Sequence, residues 1–118
     1  MSEPSPRMLK VNSILREVIA EEVERLNDSR LEMVSITGVD TSPNLRRATV
    51  YIDVLGIGDS SDAIDALRRA SSRLQAAIAG QVRMKFTPTL EFEVDPGVIG
   101  GERIDAILRS LGNEEEKG

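Results

Sequence analysis

Ser61-Asp62-Ala63-Ile64-Asp65-Ala66-Leu67-Arg68-Arg69-Ala70-Ser71-Ser72-Arg73-Leu74 reads as two short helices meeting at a joint. Ser61 stands where it can cap the first helix. Asp62 and Asp65 fall in its first turn and Arg68 and Arg69 in its last, so the charges suit both helix ends. Ser71 and Ser72 interrupt the pattern and are placed to cap a second helix, in which Leu74, Ile78 and Val82 recur at four-residue spacing. Pro88 closes that region. Beyond it Leu90, Phe92 and Val94 alternate with Glu91, Glu93 and Asp95, the pattern of a strand with one buried face.

Upstream of the helix pair lie two more strands. Met33 to Thr41 is rich in β-branched residues, and Ala48 to Leu55 puts Ala48, Val50, Ile52 and Val54 on one face. Ser42-Pro43-Asn44 supplies turn chemistry between them, which predicts an antiparallel hairpin. Gly56-Ile57-Gly58-Asp59 then ends the sheet. From Met8 to Leu26, Val11, Ile14, Leu15, Val18, Ile19, Val23 and Leu26 repeat at three- and four-residue spacing, an amphipathic helix stopped by Asn27-Asp28-Ser29. A last helix is expected from Glu102 to Leu111. The order is α-β-β-α-α-β-α, an α+β fold with helices on one face of a three-stranded sheet. Residues 1–7 are expected to be disordered, 8–111 to form the single domain, and 112–118 to be a flexible charged tail.

Composition narrows the chemistry. The chain has 118 residues, no cysteine and no histidine. Disulfides, thiolate nucleophiles and the commonest zinc ligand and general base are therefore excluded. The amino terminus resembles no signal peptide and no long apolar run follows, so a cytoplasmic protein without a membrane span is expected. Net charge is -5, which argues against nucleic acid unless charge is unevenly distributed. It is uneven along the chain: Ala66 to Leu90 holds Arg68, Arg69, Arg73, Arg83 and Lys85 and no carboxylate. Backbone N–H groups opening the second helix, flanked by arginines, would make a phosphate site there. A plainer reading has Arg68 and Arg69 pairing with Asp65 and the serines simply capping. Arg46 and Arg47, at the start of the second strand, would extend a basic stripe if the hairpin turn lay near the joint.

Other motifs are weaker. Gly56-Ile57-Gly58 lacks the third glycine of a dinucleotide fingerprint and reads as a turn. Gly97-Val98-Ile99-Gly100 spells the G-x-x-G of KH domains, but it stands between a strand and a helix instead of between two helices, and reads as a connector. The alternating Glu91, Glu93 and Asp95, and Glu21-Glu22, read as solvated surface. Tyr51, Phe86 and Phe92 are too few for a base-stacking platform. No nucleophile-base pair or nucleotide-binding loop is present, so no catalytic residue, metal or cofactor is assigned.

From Arg7 to Leu111 the chain resembles the bacterial ribosome-binding factor A family. The resemblance rests on Asp28-Ser29-Arg30-Leu31, on Val39-Asp40-Thr41-Ser42-Pro43-Asn44-Leu45 leading to Ala48-Thr49-Val50-Tyr51, on Pro88-Thr89-Leu90-Glu91-Phe92 with Asp95, and on Gly101-Glu102-Arg103-Ile104. It implies a type II KH-like fold in which an Ala-x-Gly kink between two helices replaces the G-x-x-G. It also implies a non-enzymatic factor for late maturation of the small (30S) ribosomal subunit, acting near the 5′-end helix of 16S rRNA and linked to growth in the cold. Here the kink reads Ala70-Ser71-Ser72, with serine at the glycine position.

The expected RNA-binding set is Arg68, Arg69, Ser71, Ser72 and Arg73 at the joint, with Arg83, Lys85, Arg46 and Arg47 extending it. The expected partners are the immature small subunit and its 16S rRNA, with other assembly factors beside them. No membrane or small-molecule substrate is expected, and the protein should be a monomer. Two alternatives stay open: a protein-interaction domain working through the acidic first helix (Glu17, Glu21, Glu24), and a KH-like module for single-stranded RNA unrelated to ribosomes.

Overall fold

The computed structural model describes residues 5–55 and 60–97. In chain order these form α1 (Pro6–Leu26), a short 3-10 turn (Ser29–Leu31), β1 (Val34–Thr41), β2 (Arg47–Val54), α2 (Ser60–Arg69), α3 (Ser71–Gln81) and β3 (Thr89–Val94). The α-β-β-α-α-β order is the expected one. The helix expected at 102–111, the tail at 112–118, the Gly56-Ile57-Gly58 turn and most of Gly97–Gly100 lie outside the described residues.

Helix α1 starts two residues before Met8. Ser5 accepts a hydrogen bond from the Met8 N–H at 3.2 Å and Pro6 takes the first helical position, where its missing N–H costs nothing. Pro6 and Arg7, expected among the disordered residues, are therefore helical. At the other end Asn27 adopts left-handed backbone (φ 50°, ψ 42°) and returns its N–H to the Glu24 carbonyl. Asp28 then caps the 3-10 turn by accepting from the Arg30 N–H at 3.0 Å, a turn the periodicity did not reveal.

The sheet runs β1-β2-β3, so β2 is central. It pairs antiparallel with β1 and parallel with β3. A parallel neighbour needs a crossover, and the α2–α3 pair supplies it. The hairpin turn is held by Ser42 and Asn44: the Leu45 N–H donates to the Ser42 carbonyl, and Asn44 Oδ1 accepts from the Arg46 N–H at 3.1 Å. Leu45 takes the left-handed conformation (φ 64°) that closes the turn.

Strand β1 contains a bulge between Ile36 and Gly38 that leaves Thr37 out of register. One extra residue flips the side-chain parity. Val34 and Ile36 face the helices before it, and Val39 and Thr41 after it.

One core joins all layers. Leu15 and Ile19 of α1, Leu67 of α2, Leu74 and Ile78 of α3, and Val50 and Ile52 of β2 are fully enclosed, with Ala48, Leu90 and Phe92 beside them. Each such Leu or Ile contributes roughly 1.5–3 kcal/mol by leaving water. All three helices thus lie on one sheet face, as expected. Ile14, placed inward by its spacing, instead sits at the margin and is 36% exposed.

Candidate nucleic-acid interface

At the joint, Ala70 has φ -87° and ψ 0°, and its N–H is shared between the Ala66 and Leu67 carbonyls, both at 3.1 Å. The chain therefore turns without leaving right-handed backbone. Ser72 does not adopt positive φ, so serine at this position brings no backbone strain. The serines do not cap α3. Ala70 occupies the cap position and gives no side-chain bond, while the Ser71 hydroxyl reaches back to the Leu67 carbonyl at 3.4 Å. That long contact ties α3 to the last turn of α2. Among the described residues, the Ser71, Ser72 and Arg73 amides find no backbone acceptor in α2, as at any helix start.

The arginines of the joint differ in their surroundings. Arg68 lies 3.8 Å from Asp65 with both groups largely in water, a weak pair. Arg69 is exposed and has no carboxylate partner among the described residues. Arg73 donates through Nε to Glu22 Oε1 of α1 at 3.0 Å, and Arg25 reaches the other oxygen at 3.3 Å. Glu22 faces inward, and the hydrogen bond from Arg73 holds its carboxyl below the usual glutamate range against the opposing effect of burial. The stretch that is free of acid along the chain is thus met in space by a carboxylate from α1. Only Nε of Arg73 is committed to this bond; its terminal amino groups keep further donors.

The other predicted cations gather at the far end of α3, about 16 Å away given its eleven residues. Arg46 lays its guanidinium over the Phe86 ring, 4.2 Å from the centroid, and the Lys85 ammonium lies 5.6 Å from the same ring. With Arg47, Thr87, Thr89 and Glu91 they line an open cleft of about 620 Å³. Glu91 is the acid there, 4.0 Å from Arg47. A neighbouring groove brings Arg83 and Lys85 against Arg7 and Met8 of α1 and Leu45 of the turn. Arg46 and Arg47 therefore extend a basic surface at this end and not at the joint. Arg7 and Phe86 belong to it although sequence reasoning gives them no role there. The scarcity of aromatics hides Phe86, and a segment composition that suggests disorder hides Arg7.

The sheet face turned away from the helices has the opposite character. Register places Asp40, Asp53, Glu91 and Glu93 on it around Tyr51. Burial, then Asp40 and Glu93, push the Tyr51 hydroxyl above the usual tyrosine range. Thr37, freed by the bulge, reaches Asp95 at the edge of this face. Among the described residues no group of acids could hold a metal ion, and no helix is long and apolar enough to cross a membrane.

Comparison with known proteins bears on what these two basic ends serve. A family model described as "Ribosome-binding factor A" matches residues 7–108. A protein named ribosome-binding factor A from Rubrobacter xylanophilus is 42% identical over 113 residues, covering 95% of this chain and 93% of that one. Among solved structures, the crystal structure of ribosome-binding factor A from Thermus thermophilus superposes with a TM-score of 0.70 at 33% identity, covering 74% of this chain and 94% of that one. A homology model of the Thermus thermophilus factor, fitted into a cryo-EM map of its complex with the 30S subunit, gives 0.59 at 35% identity over 70% of this chain and 88% of that one.

Proposed function

Because the chain belongs to the ribosome-binding factor A family, we propose that it binds the small ribosomal subunit as a non-enzymatic, cytoplasmic factor for late maturation. In this reading it contacts 16S rRNA near the 5′-end helix and aids rRNA processing. The observation that carries it is the likeness in fold and sequence to the Thermus factor fitted into a 30S complex. The chemistry of the joint agrees. Arg68 and Arg69 are exposed and held by at most a weak pair, and they flank the open amides of Ser71, Ser72 and Arg73. Cations and N–H groups so placed neutralise and position backbone phosphates without reading bases, so binding should fall steeply with salt.

Co-sedimentation of the purified protein with immature and mature small subunits across a salt series tests this. Salt-sensitive binding that prefers the immature particle is expected, and Arg68→Glu with Arg69→Glu should weaken it at least about tenfold. Binding to neither particle at low salt would overturn the assembly reading. Loss of binding on reversing Glu17, Glu21 and Glu24, with the joint variants unaffected, would instead make acidic α1 the working surface.

A further inference from the structure

We propose that Arg46, Arg47 and Lys85, ordered by Phe86, form a second RNA-backbone site, separate from the joint and at the opposite end of α3. The proposal rests on the reading that the partner is ribosomal RNA, and it names a surface and a mechanism beyond the joint.

Three features make this cluster more than scattered surface charge. First, Arg46 is fixed at both backbone and side chain. Its N–H donates to Asn44 Oδ1 at 3.1 Å, its carbonyl accepts from the Thr89 N–H at 2.9 Å, and its guanidinium rests on Phe86. An arginine stacked on a ring keeps its edge N–H groups directed outward in one plane, the geometry that grips phosphate oxygens in pairs. The rotamer freedom an arginine normally loses on binding is already spent. Second, the cleft supplies neutral donors beside the cations, since Thr87 and Thr89 also line it. Third, it is open and about 620 Å³ in volume, so it suits a run of sugar-phosphate better than one isolated carboxylate. Phe86 acts here as a positioning residue. One of its faces is already taken by Arg46, so it orders the guanidinium instead of stacking a base.

Glu91 sets the sign of an internal control. It is the carboxylate of the cleft, half-exposed and 4.0 Å from Arg47. Facing a phosphate it is repulsive, so Glu91→Gln should tighten binding.

The test measures affinity of the full chain for immature small subunits, and for a short RNA duplex without protein, between about 50 and 200 mM salt. The triple variant Arg46→Ala, Arg47→Ala, Lys85→Ala should weaken both by about tenfold or more and lower the slope of log K against log salt by about two to three. Phe86→Leu keeps every charge, and should weaken binding a few-fold while leaving the slope nearly unchanged. A photo-crosslinking amino acid at Thr87 should capture rRNA. Unaltered thermal melts guard the surface variants against misfolding. A triple variant that binds both probes like the parent overturns the proposal while leaving the ribosomal reading intact. So does a crosslink only to a ribosomal protein. Failure of the parent chain to bind subunits overturns the ribosomal reading, and the duplex arm then still decides on the cluster.

Discussion

Glu22 and Arg73 show how one pair recasts a charge pattern. They are fifty-one positions apart, so a reading of local runs sees Arg73 in an acid-free stretch, while the fold gives it a carboxylate at 3.0 Å. The sign of the pH effect follows. Glu22 has its carboxyl below the ordinary value of 4.5, so the unfolded chain binds more protons as pH falls through that range. The stability it confers is complete above about pH 5 and is lost as pH drops through the folded value. Thermal melts between about pH 3 and 7 should show this loss. Arg73→Ala should lower the midpoint at neutral pH and flatten the acid limb. Unchanged pH dependence in that variant would mean that the pair contributes nothing measurable. The other predicted cations were legible as residues but not as a place. Nothing in the chain order says that Arg46 and Phe86 share a cleft, since the contact depends on β2 and β3 starting side by side.

Among the elements, the helix pair gives the sharpest prediction. Ser72 sits in the first turn of α3 with right-handed backbone, and the bend is taken up at Ala70. Ser72→Gly should therefore cost about 0.5–1 kcal/mol through the greater freedom of the unfolded chain. Urea titration would measure it; a gain in stability would place hidden strain at the joint. The elements whose pattern is uninterrupted were readable from sequence: Ala48 to Val54 alternates without a break because β2 is central with one face on the helices. Strand β1 was readable as a strand but not face by face, because the bulge at Thr37 inverts the alternation midway. Gly38, next to that break, was the available signal. Ser5-Pro6 was likewise a helix start in plain view, outweighed by a composition that suggested disorder.

For the molecule as a whole, charge is distributed unevenly over the surface. Acids gather on the open sheet face around Tyr51 and along α1 at Glu17, Glu21 and Glu24, cations gather at the two ends of α3, and Arg47 and Glu91 meet where the sheet face borders the cleft. The total of -5 hides this, because it sums over the whole chain. Neutralising the sheet face with Asp53→Asn and Glu93→Gln should raise affinity for an unrelated RNA duplex several-fold at low salt. Affinity for immature subunits should rise much less if, as proposed, the cations at the ends of α3 and not Asp53 and Glu93 meet the rRNA. Equal gains on both probes, measured by filter binding, would show that the acid face confers no discrimination.

The same separation has a kinetic meaning. A body with acids on its open sheet face and on α1, and cations at the two ends of α3, has a lopsided charge distribution, and the field of a large polyanion exerts a torque on it before contact. If the proposed cation sites are the ones that meet rRNA, that torque turns the protein cation-first during its approach, so a larger share of collisions is productive.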